Sequence, residues 1–313
     1  MKSKAQVSER FRDFDANLTT RPWIVIGMGV RKFTQLLSIR TWTGYGVWAL
    51  ITLIYLLTLF RFILLADAED YPCIKYDEGI QRCLPLDFYG DFGSATGVGG
   101  IRLFLVILAA IASGGLIGND MTNKTIHLYL SRPISRLDYL IARFIPVFLL
   151  LMLVTFVPNL IILGSMWSEN GLETDWLLEH KWLIINLILQ GILYSASYSI
   201  IGLAFSTLLK KEATASSAFF LFVYGTSIIS ETFFLFLNLL DVDGSEYVLL
   251  LSVSHVLDIV SYAIFDTTYY ASAFGMPIEA EISNLEIGAY YVCIIASCSG
   301  FMYWMIQQME ANK

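Results

Sequence analysis

Six long stretches without a charged side chain dominate this sequence of 313 residues. A helix needs about 20 mostly apolar residues to cross the hydrocarbon core of a bilayer, and most of the stretches reach or approach that length. Only 15% of the residues are charged, whereas soluble domains carry about 25%. The pattern predicts an all-α integral membrane protein with six transmembrane helices. In chain order the stretches cover residues 41–60, 103–119, 144–168, 182–209, 213–230 and 287–308.

Two of these stretches need an extension before they span a bilayer. We expect the second to extend through Arg102, whose long side chain reaches the membrane interface by snorkelling. The fifth continues past Glu231 to Leu240. Glu231 is then the carboxylate that lies well inside an apolar region, which makes it a candidate ion site. A position near the outer interface is the alternative.

The distribution of basic residues predicts the orientation. Fifteen of the twenty Lys and Arg residues fall before the first helix, in the loops after helices 2 and 4, or in the tail. Because cytoplasmic loops are enriched in Lys and Arg, both termini are predicted to be cytoplasmic. We expect the first helix to act as its own insertion signal. The predicted location is the cell membrane, with a prokaryotic plasma membrane favoured.

The chain reads as one membrane domain between two short cytoplasmic segments. Residues 1–41 form a basic N-terminus, in which 22–40 mix apolar and basic residues as an interfacial amphipathic helix does. Residues 42–308 form the six-helix domain, with an external loop at 66–97, a cytoplasmic loop at 119–138 and an external segment at 239–286. Residues 309–313 form the tail.

The external regions carry two further features. Cys73 and Cys83 lie in the first external loop, and their spacing suits a disulfide that closes a small loop. A metal site is disfavoured there, since no His accompanies them. Residues 247–265 are apolar enough for a seventh span but include His255 and Asp258, and no Lys or Arg occurs from 239 to 286. We therefore expect external or interfacial helices that do not cross.

The stretch GNDMTNKT, residues 118–125, differs by one residue from the nucleotide-binding pattern GxxxxGK[ST]. That loop requires a preceding strand within a soluble α/β domain, whereas here a transmembrane helix precedes it. The nucleotide-binding interpretation therefore fails. The following residues predict a short helix over 125–130, a break at Pro133, and a third transmembrane helix that starts near Arg136 with Ser135 and Asp138 at capping-box spacing.

This region resembles the permeases of type-2 ATP-binding-cassette (ABC) transporters. Those permeases have, after the second helix, an acidic residue, then Gly-Thr-Leu, then a Leu-rich stretch that ends in Ser-Arg-Pro-Ile-Ser-Arg. The chain has SRPISR at 131–136 and departs from the pattern at Lys124, where Gly is usual, and at Ile126. The resemblance implies that the loop after helix 2 is a coupling helix that docks on a separate ATPase subunit. The matching positions, implied to lie at or near that contact, are Asp120, Thr125, Leu128, Leu130, Arg132, Pro133 and Arg136.

The sequence thus predicts the permease subunit of an ATP-driven transporter, an exporter that works as a dimer of permeases with two ATPase subunits. We expect no catalytic residues, no metal and no cofactor on this chain, since ATP and Mg²⁺ would bind the ATPase. Two alternatives remain open. One is a membrane scaffold or force-transmitting subunit for an external protein, and the other is an ion-coupled transporter that uses Glu231. The substrate is not encoded in any motif.

Overall fold

Among the residues that it describes, the computed structural model of the protein contains six helices that are long and apolar enough to cross a membrane. It describes residues 22–66, 74–75, 81–82, 101–123, 135–169, 175, 178, 181–209, 211–240, 242, 244–265, 270–273, 276–279 and 282–311. The six spans confirm the prediction made from the apolar stretches. They are span 1 (Trp42–Phe60), span 2 (Ile101–Thr122), span 3 (Arg136–Gly164), span 4 (Lys181–Leu208), span 5 (Glu212–Leu239) and span 6 (Leu285–Gln308).

Helices build the bundle, and two pairs of short strands are added between them. The strand pairs depart from a purely helical architecture and lie between spans 1 and 2 and between spans 5 and 6. The elements in order are α1 (Pro22–Leu36), α2 (Trp42–Ala66), β1 (Ile74–Lys75), β2 (Gln81–Arg82), α3 (Ile101–Gly114), α4 (Gly118–Thr122), α5 (Arg136–Thr155), α6 (Val157–Glu169), α7 (Lys181–Leu208), α8 (Glu212–Leu239), a 3₁₀ helix (Ser245–Leu251), α9 (Val253–Ile264), β3 (Tyr270–Ala273), β4 (Met276–Glu279) and α10 (Asn284–Ala311).

The two strand pairs are antiparallel. Ile74 pairs with Arg82 in the first, and Tyr270 pairs with Glu279 in the second. Cys73 and Cys83 precede and follow the first pair in sequence but lie outside the described residues, so their disulfide stays a prediction.

Helix α1 forms where the amphipathic pattern predicts it, and it packs along α5. Gly29 permits this packing, because a Cβ atom there would lie 2.7 Å from Ile145. Trp48 of span 1 donates its indole N–H to the carbonyl of Leu37 at 2.9 Å, which ties the end of α1 to the bundle. The location of α1 at a membrane surface stays a prediction.

Span 3 is continuous through Pro146 and breaks at Phe156, two residues before Pro158. Proline has no backbone N–H and crowds the carbonyl four residues earlier, which explains a break at this point. The Asn159 side chain donates to the Thr155 carbonyl at 3.0 Å and stabilises the interrupted turn. Pro158 thus lies next to a break in span 3, whereas the helix continues through Pro146.

Small residues let the spans approach closely inside the chain. A Cβ atom on Gly191 of span 4 would lie 3.1 Å from Met152 and Phe156 of span 3. One turn further along span 4, the hydroxyls of Ser195 and Thr155 are 3.2 Å apart. The small residues at 191 and 195 therefore serve packing within the bundle, as expected of membrane helices.

The segment before span 6 is folded into the bundle. Its 3₁₀ helix and α9 meet at a bend of 111°. Neither is long enough to cross a bilayer by itself, since 12 residues of α-helix span only about 18 Å. All but three residues of α9 are buried. That residues 247–265 do not cross the membrane stays a prediction, and their burial in the bundle is greater than that of a helix lying on an external surface.

Candidate functional site

A polar seam joins α9 to span 4. Gln190 and Tyr194 lie one turn apart on span 4. The amide of Gln190 donates to the Ser261 hydroxyl at 2.8 Å, and the Tyr194 hydroxyl donates to Oδ1 of Asp258 at 2.7 Å. Seams of this kind are costly to separate in an apolar environment, because each polar atom would lose its partner.

A buried ion pair crosses this seam. Arg102 of span 2 donates from Nη2 to Oδ2 of Asp258, and each side chain is only 2% exposed. Arg102, Asp258 and Tyr194 form what we call the Asp258 cluster. It joins span 2, span 4 and α9, and both oxygens of the Asp258 carboxylate are engaged.

The expectation that Arg102 snorkels to the membrane interface is wrong. Its side chain turns into the bundle because Asp258 supplies a partner there, and the pair compensates part of the desolvation of both charges. The sequence places Asp258 in an apolar segment, but its pairing with Arg102 was not predicted. The feature that could have indicated the ion pair is the presence of an arginine and an aspartate, each within a stretch of otherwise apolar residues.

Glu231 lies in span 5, as predicted, and its side chain is partly buried. Asp258 of α9 is the more deeply buried carboxylate, so Glu231 is not the sole carboxylate within an apolar stretch, and its role as an ion site stays a prediction. One turn before Glu231, the Ser227 hydroxyl lies 3.3 Å from Nε2 of His255 in α9.

A second charged cluster lies at the opposite end of span 2. Asp120 of α4 accepts a hydrogen bond from the Tyr139 hydroxyl at 2.8 Å and forms an ion pair with Arg143. The Arg143 guanidinium also lies over the Tyr139 ring, 5.3 Å from its centre. Asp120, Tyr139 and Arg143 form the Asp120 cluster, which joins the last turn of span 2 to the first two turns of span 3.

The start of span 3 explains how Tyr139 and Arg143 reach Asp120. Ser135 caps α5 by accepting from the Asp138 amide at 3.1 Å, and Asp138 accepts from the Ser135 amide at 3.1 Å. This is the capping box predicted from the sequence, and it confirms a helix start at Arg136. The cap fixes the register in which Tyr139 and Arg143, one turn apart, face the same side.

The predicted coupling residues divide between described and undescribed parts of the chain. Asp120 and Arg136 flank the loop at its two ends. The stretch GNDMTNKT begins after a helix and not after a strand, which agrees with the rejection of a nucleotide-binding loop. Outside the described residues lie Thr125, Leu128, Leu130, Arg132 and Pro133.

No group of three or more His, Cys, Asp or Glu side chains that is arranged to hold a metal ion occurs among the described residues. Of the four cysteines, Cys293 is exposed and Cys298 is partly buried in span 6. The site therefore consists of two ion-pair clusters, which join helices to one another, at the two ends of one span.

Comparison with known proteins gives one family match. Residues 28–274, more than three quarters of the chain, match the model of a family described as ABC-2 family transporter protein. The match includes spans 1 to 5, both ion-pair clusters and the bent segment. A comparison with curated proteins finds no match.

Proposed function

Since the chain belongs to the ABC-2 family of transporter proteins, we propose that it is the permease subunit of an ATP-driven exporter, moved by a separate ATPase that docks on the loop between spans 2 and 3. The observation that carries the proposal is the Asp120 cluster. It links the two helix ends from which that loop, residues 124–134, leaves the bundle.

The cluster ties together the two helix ends that the loop connects. A force on a loop with free ends would mainly change the shape of that loop. When the two ends are tied together, the force would be transmitted to the helices instead. Here Asp120 precedes the loop, and Tyr139 and Arg143 follow it. Force on the loop would therefore move the end of span 2 and the start of span 3 as one unit.

The charge pattern supports an orientation of the chain in the membrane. The N-terminal segment, the loops after spans 2 and 4 and the tail hold fifteen of the twenty Lys and Arg residues, which supports a cytoplasmic position for the Asp120 end and for both termini. ATP-driven closure of two ATPase subunits would move the loops between spans 2 and 3 of two permease copies and open a path toward the Asp258 end. The bent segment, packed between spans 4, 5 and 6, would be the part that must rearrange.

This function needs no covalent chemistry on the chain. ATP and Mg²⁺ would bind the ATPase, and the permease would contribute only binding and movement. The location that fits is the cell membrane, where the six spans are embedded in lipid.

The test is gentle extraction from native membranes, affinity purification of the chain and identification of the proteins that stay bound. We expect a stoichiometric soluble subunit with an intact GxxxxGK[ST] loop. Leu128→Asp and Arg132→Ala should release it. The controls are Leu251→Asp and Lys181→Ala, which change an exposed leucine and an exposed lysine at the Asp258 end.

The proposal is wrong if the purified chain alone hydrolyses ATP, or if no ATPase is retained under conditions that preserve the folded chain. Retention of a protein bound at the Asp258 end, without an ATPase, would instead establish the scaffold function.

A further inference from the structure

Span 2 is interrupted close to the loop that it feeds. Helix α3 ends at Gly114, and α4 begins at Gly118. In an unbroken helix the amides of Ile117 and Gly118 would bond to carbonyls four residues earlier. The Leu116 amide donates to the carbonyl of Ser113, only three residues earlier, at 3.3 Å. The regular pattern of backbone hydrogen bonds is therefore interrupted at residues 115–117.

One serine from a neighbouring helix completes the interrupted ladder. The Ser206 hydroxyl of span 4 accepts from the amides of Ile117 and Gly118 at 3.2 and 3.1 Å, and it donates to the Gly114 carbonyl at 3.0 Å. Ser206 is fully buried. Insertion of a side chain into a helix ladder is a recognised cause of a kink. Ser206 therefore satisfies three backbone groups that the break would leave unpaired.

The two sides of the break are held differently. Before it, span 2 is locked by close packing, because a Cβ atom on Gly114 would lie 1.9 Å from the Ser216 hydroxyl of span 5. A Cβ atom on Gly202 of span 4 would lie 2.3 Å from the Ser113 hydroxyl. This part of span 2 cannot shift without separating spans 4 and 5.

After the break, α4 packs against spans 4 and 5 and forms an ion pair with span 3. Asp120 pairs with Arg143 and accepts from Tyr139, whereas the neighbouring Asn119 makes one exposed hydrogen bond, of 3.1 Å, to Glu212 of span 5. An exposed neutral donor contributes less than a mostly buried ion pair. Among the side-chain contacts of α4, those to span 3 are therefore stronger than the one to span 5.

We propose that residues 115–117 form a hinge and that Ser206 is the positioning residue that closes it. Helix α4 then moves with the start of span 3, to which the Asp120 cluster ties it, while α3 stays with spans 4 and 5. Opening the hinge breaks the hydrogen bonds from Ile117 and Gly118 to Ser206. This inference rests on the proposed function and names the hinge through which the loop would act.

The experiment is hydrogen exchange of backbone amides, measured on the purified complex with its ATPase, without nucleotide and with ATP plus vanadate. In the wild type we expect exchange over residues 115–120 to accelerate in the trapped state. Ser206→Ala should raise the nucleotide-free rate there on the order of tenfold, since two amides lose their acceptor. Ser206→Thr, which keeps the hydroxyl, should restore a slow nucleotide-free rate.

The matched control is Ser199→Ala. Ser199 lies two turns earlier on span 4, is equally buried and has no hydrogen-bond partner among the described residues. Its substitution should leave exchange at 115–120 unchanged, which separates a hinge effect from general loosening of span 4. Size-exclusion chromatography of each variant checks that the complex remains assembled.

Two results would overturn the hinge. One is wild-type exchange at 115–120 that nucleotide does not alter while exchange at the start of span 3 responds. The other is a Ser206→Ala rate equal to that of Ser199→Ala. If no ATPase is retained, the proposed function fails by itself, and the comparison of the two alanine variants on the chain alone still decides whether Ser206 closes the break.

Discussion

The two ends of span 2 carry the same three residue types in different settings. At one end, Arg102 pairs with Asp258, which also accepts from Tyr194. At the other end, Asp120 pairs with Arg143 and accepts from Tyr139. The Asp258 cluster joins three elements that are distant in sequence, whereas the Asp120 cluster joins two helix ends separated by one loop.

Exposure separates the clusters further. The Asp258 carboxylate is 2% exposed and the Asp120 carboxylate is 16% exposed. Removing one member of a fully buried pair leaves an uncompensated charge, while water solvates part of what remains at a partly exposed one. We call the fully buried Asp258 cluster the lock and the partly exposed Asp120 cluster the joint.

The largest expected effect is the loss of the lock. Asp258→Asn leaves the Arg102 guanidinium buried without its anion, and we expect the free energy of unfolding to fall by about 3–5 kcal/mol. Equilibrium unfolding in mixed micelles, followed by circular dichroism, measures it. The double variant Arg102→Met with Asp258→Leu should recover most of the loss, since it removes both charges. A double variant no more stable than Asp258→Asn would contradict a simple ion-pair lock.

A smaller loss of stability is expected at the joint. Asp120→Asn keeps a hydrogen-bond acceptor for Tyr139 and Arg143 at a side chain that is 16% exposed, so the free energy of unfolding should fall by about 1.5–3 kcal/mol. Its effect on ATP hydrolysis by the assembled complex should exceed that of Asp258→Asn measured at equal folded fraction. Equal stability losses for the two asparagine variants would remove the distinction between lock and joint.

The sequence predicted the Asp120 cluster region better than the Asp258 cluster. The capping box at Ser135 and Asp138 is local, so its spacing alone located the start of span 3. The ion pair between Arg102 and Asp258 joins residues 156 positions apart, and apolar periodicity contains no information on which buried charges meet. Snorkelling was expected for Arg102 because its partner lies in a segment that is distant in sequence.

The break in span 2 could also not be predicted from the sequence. Spans 2, 4 and 5 pack closely around Gly114 and Gly202. Nothing local indicated that Ser206 would complete the backbone ladder, because that role depends on how spans 2 and 4 cross. Six spans follow from composition, whereas the contacts that order them depend on three-dimensional packing.

The two tyrosines give a finer comparison. Tyr194→Phe and Tyr139→Phe each remove one hydroxyl that donates to a carboxylate, and each should cost about 1 kcal/mol. We expect the larger loss at Tyr194, where the acceptor is fully buried. Unfolding under the conditions used for the asparagine variants measures both. A larger loss at Tyr139 would mean that the Asp120 cluster is less solvated than its exposure indicates.

The smallest effect tests whether the joint depends on its local cap. Ser135→Ala removes the hydroxyl that accepts from the Asp138 amide and should cost about 1 kcal/mol, whereas Ser135→Gly should cost only a few tenths. Because the cap sets the register of Tyr139 and Arg143, Ser135→Ala and Asp120→Asn should be non-additive in a double-mutant cycle.

The same cap variant combined with Asp258→Asn supplies the opposite expectation. Arg102 and Asp120 are separated by about 27 Å of helix, so the cap and the Asp258 cluster share no partner and their effects should add within about 0.5 kcal/mol. Coupling in both cycles would show that the two clusters form one cooperative unit through span 2, and it would argue against a hinge at 115–117. Coupling in the first cycle alone is what a lock and a separate joint require.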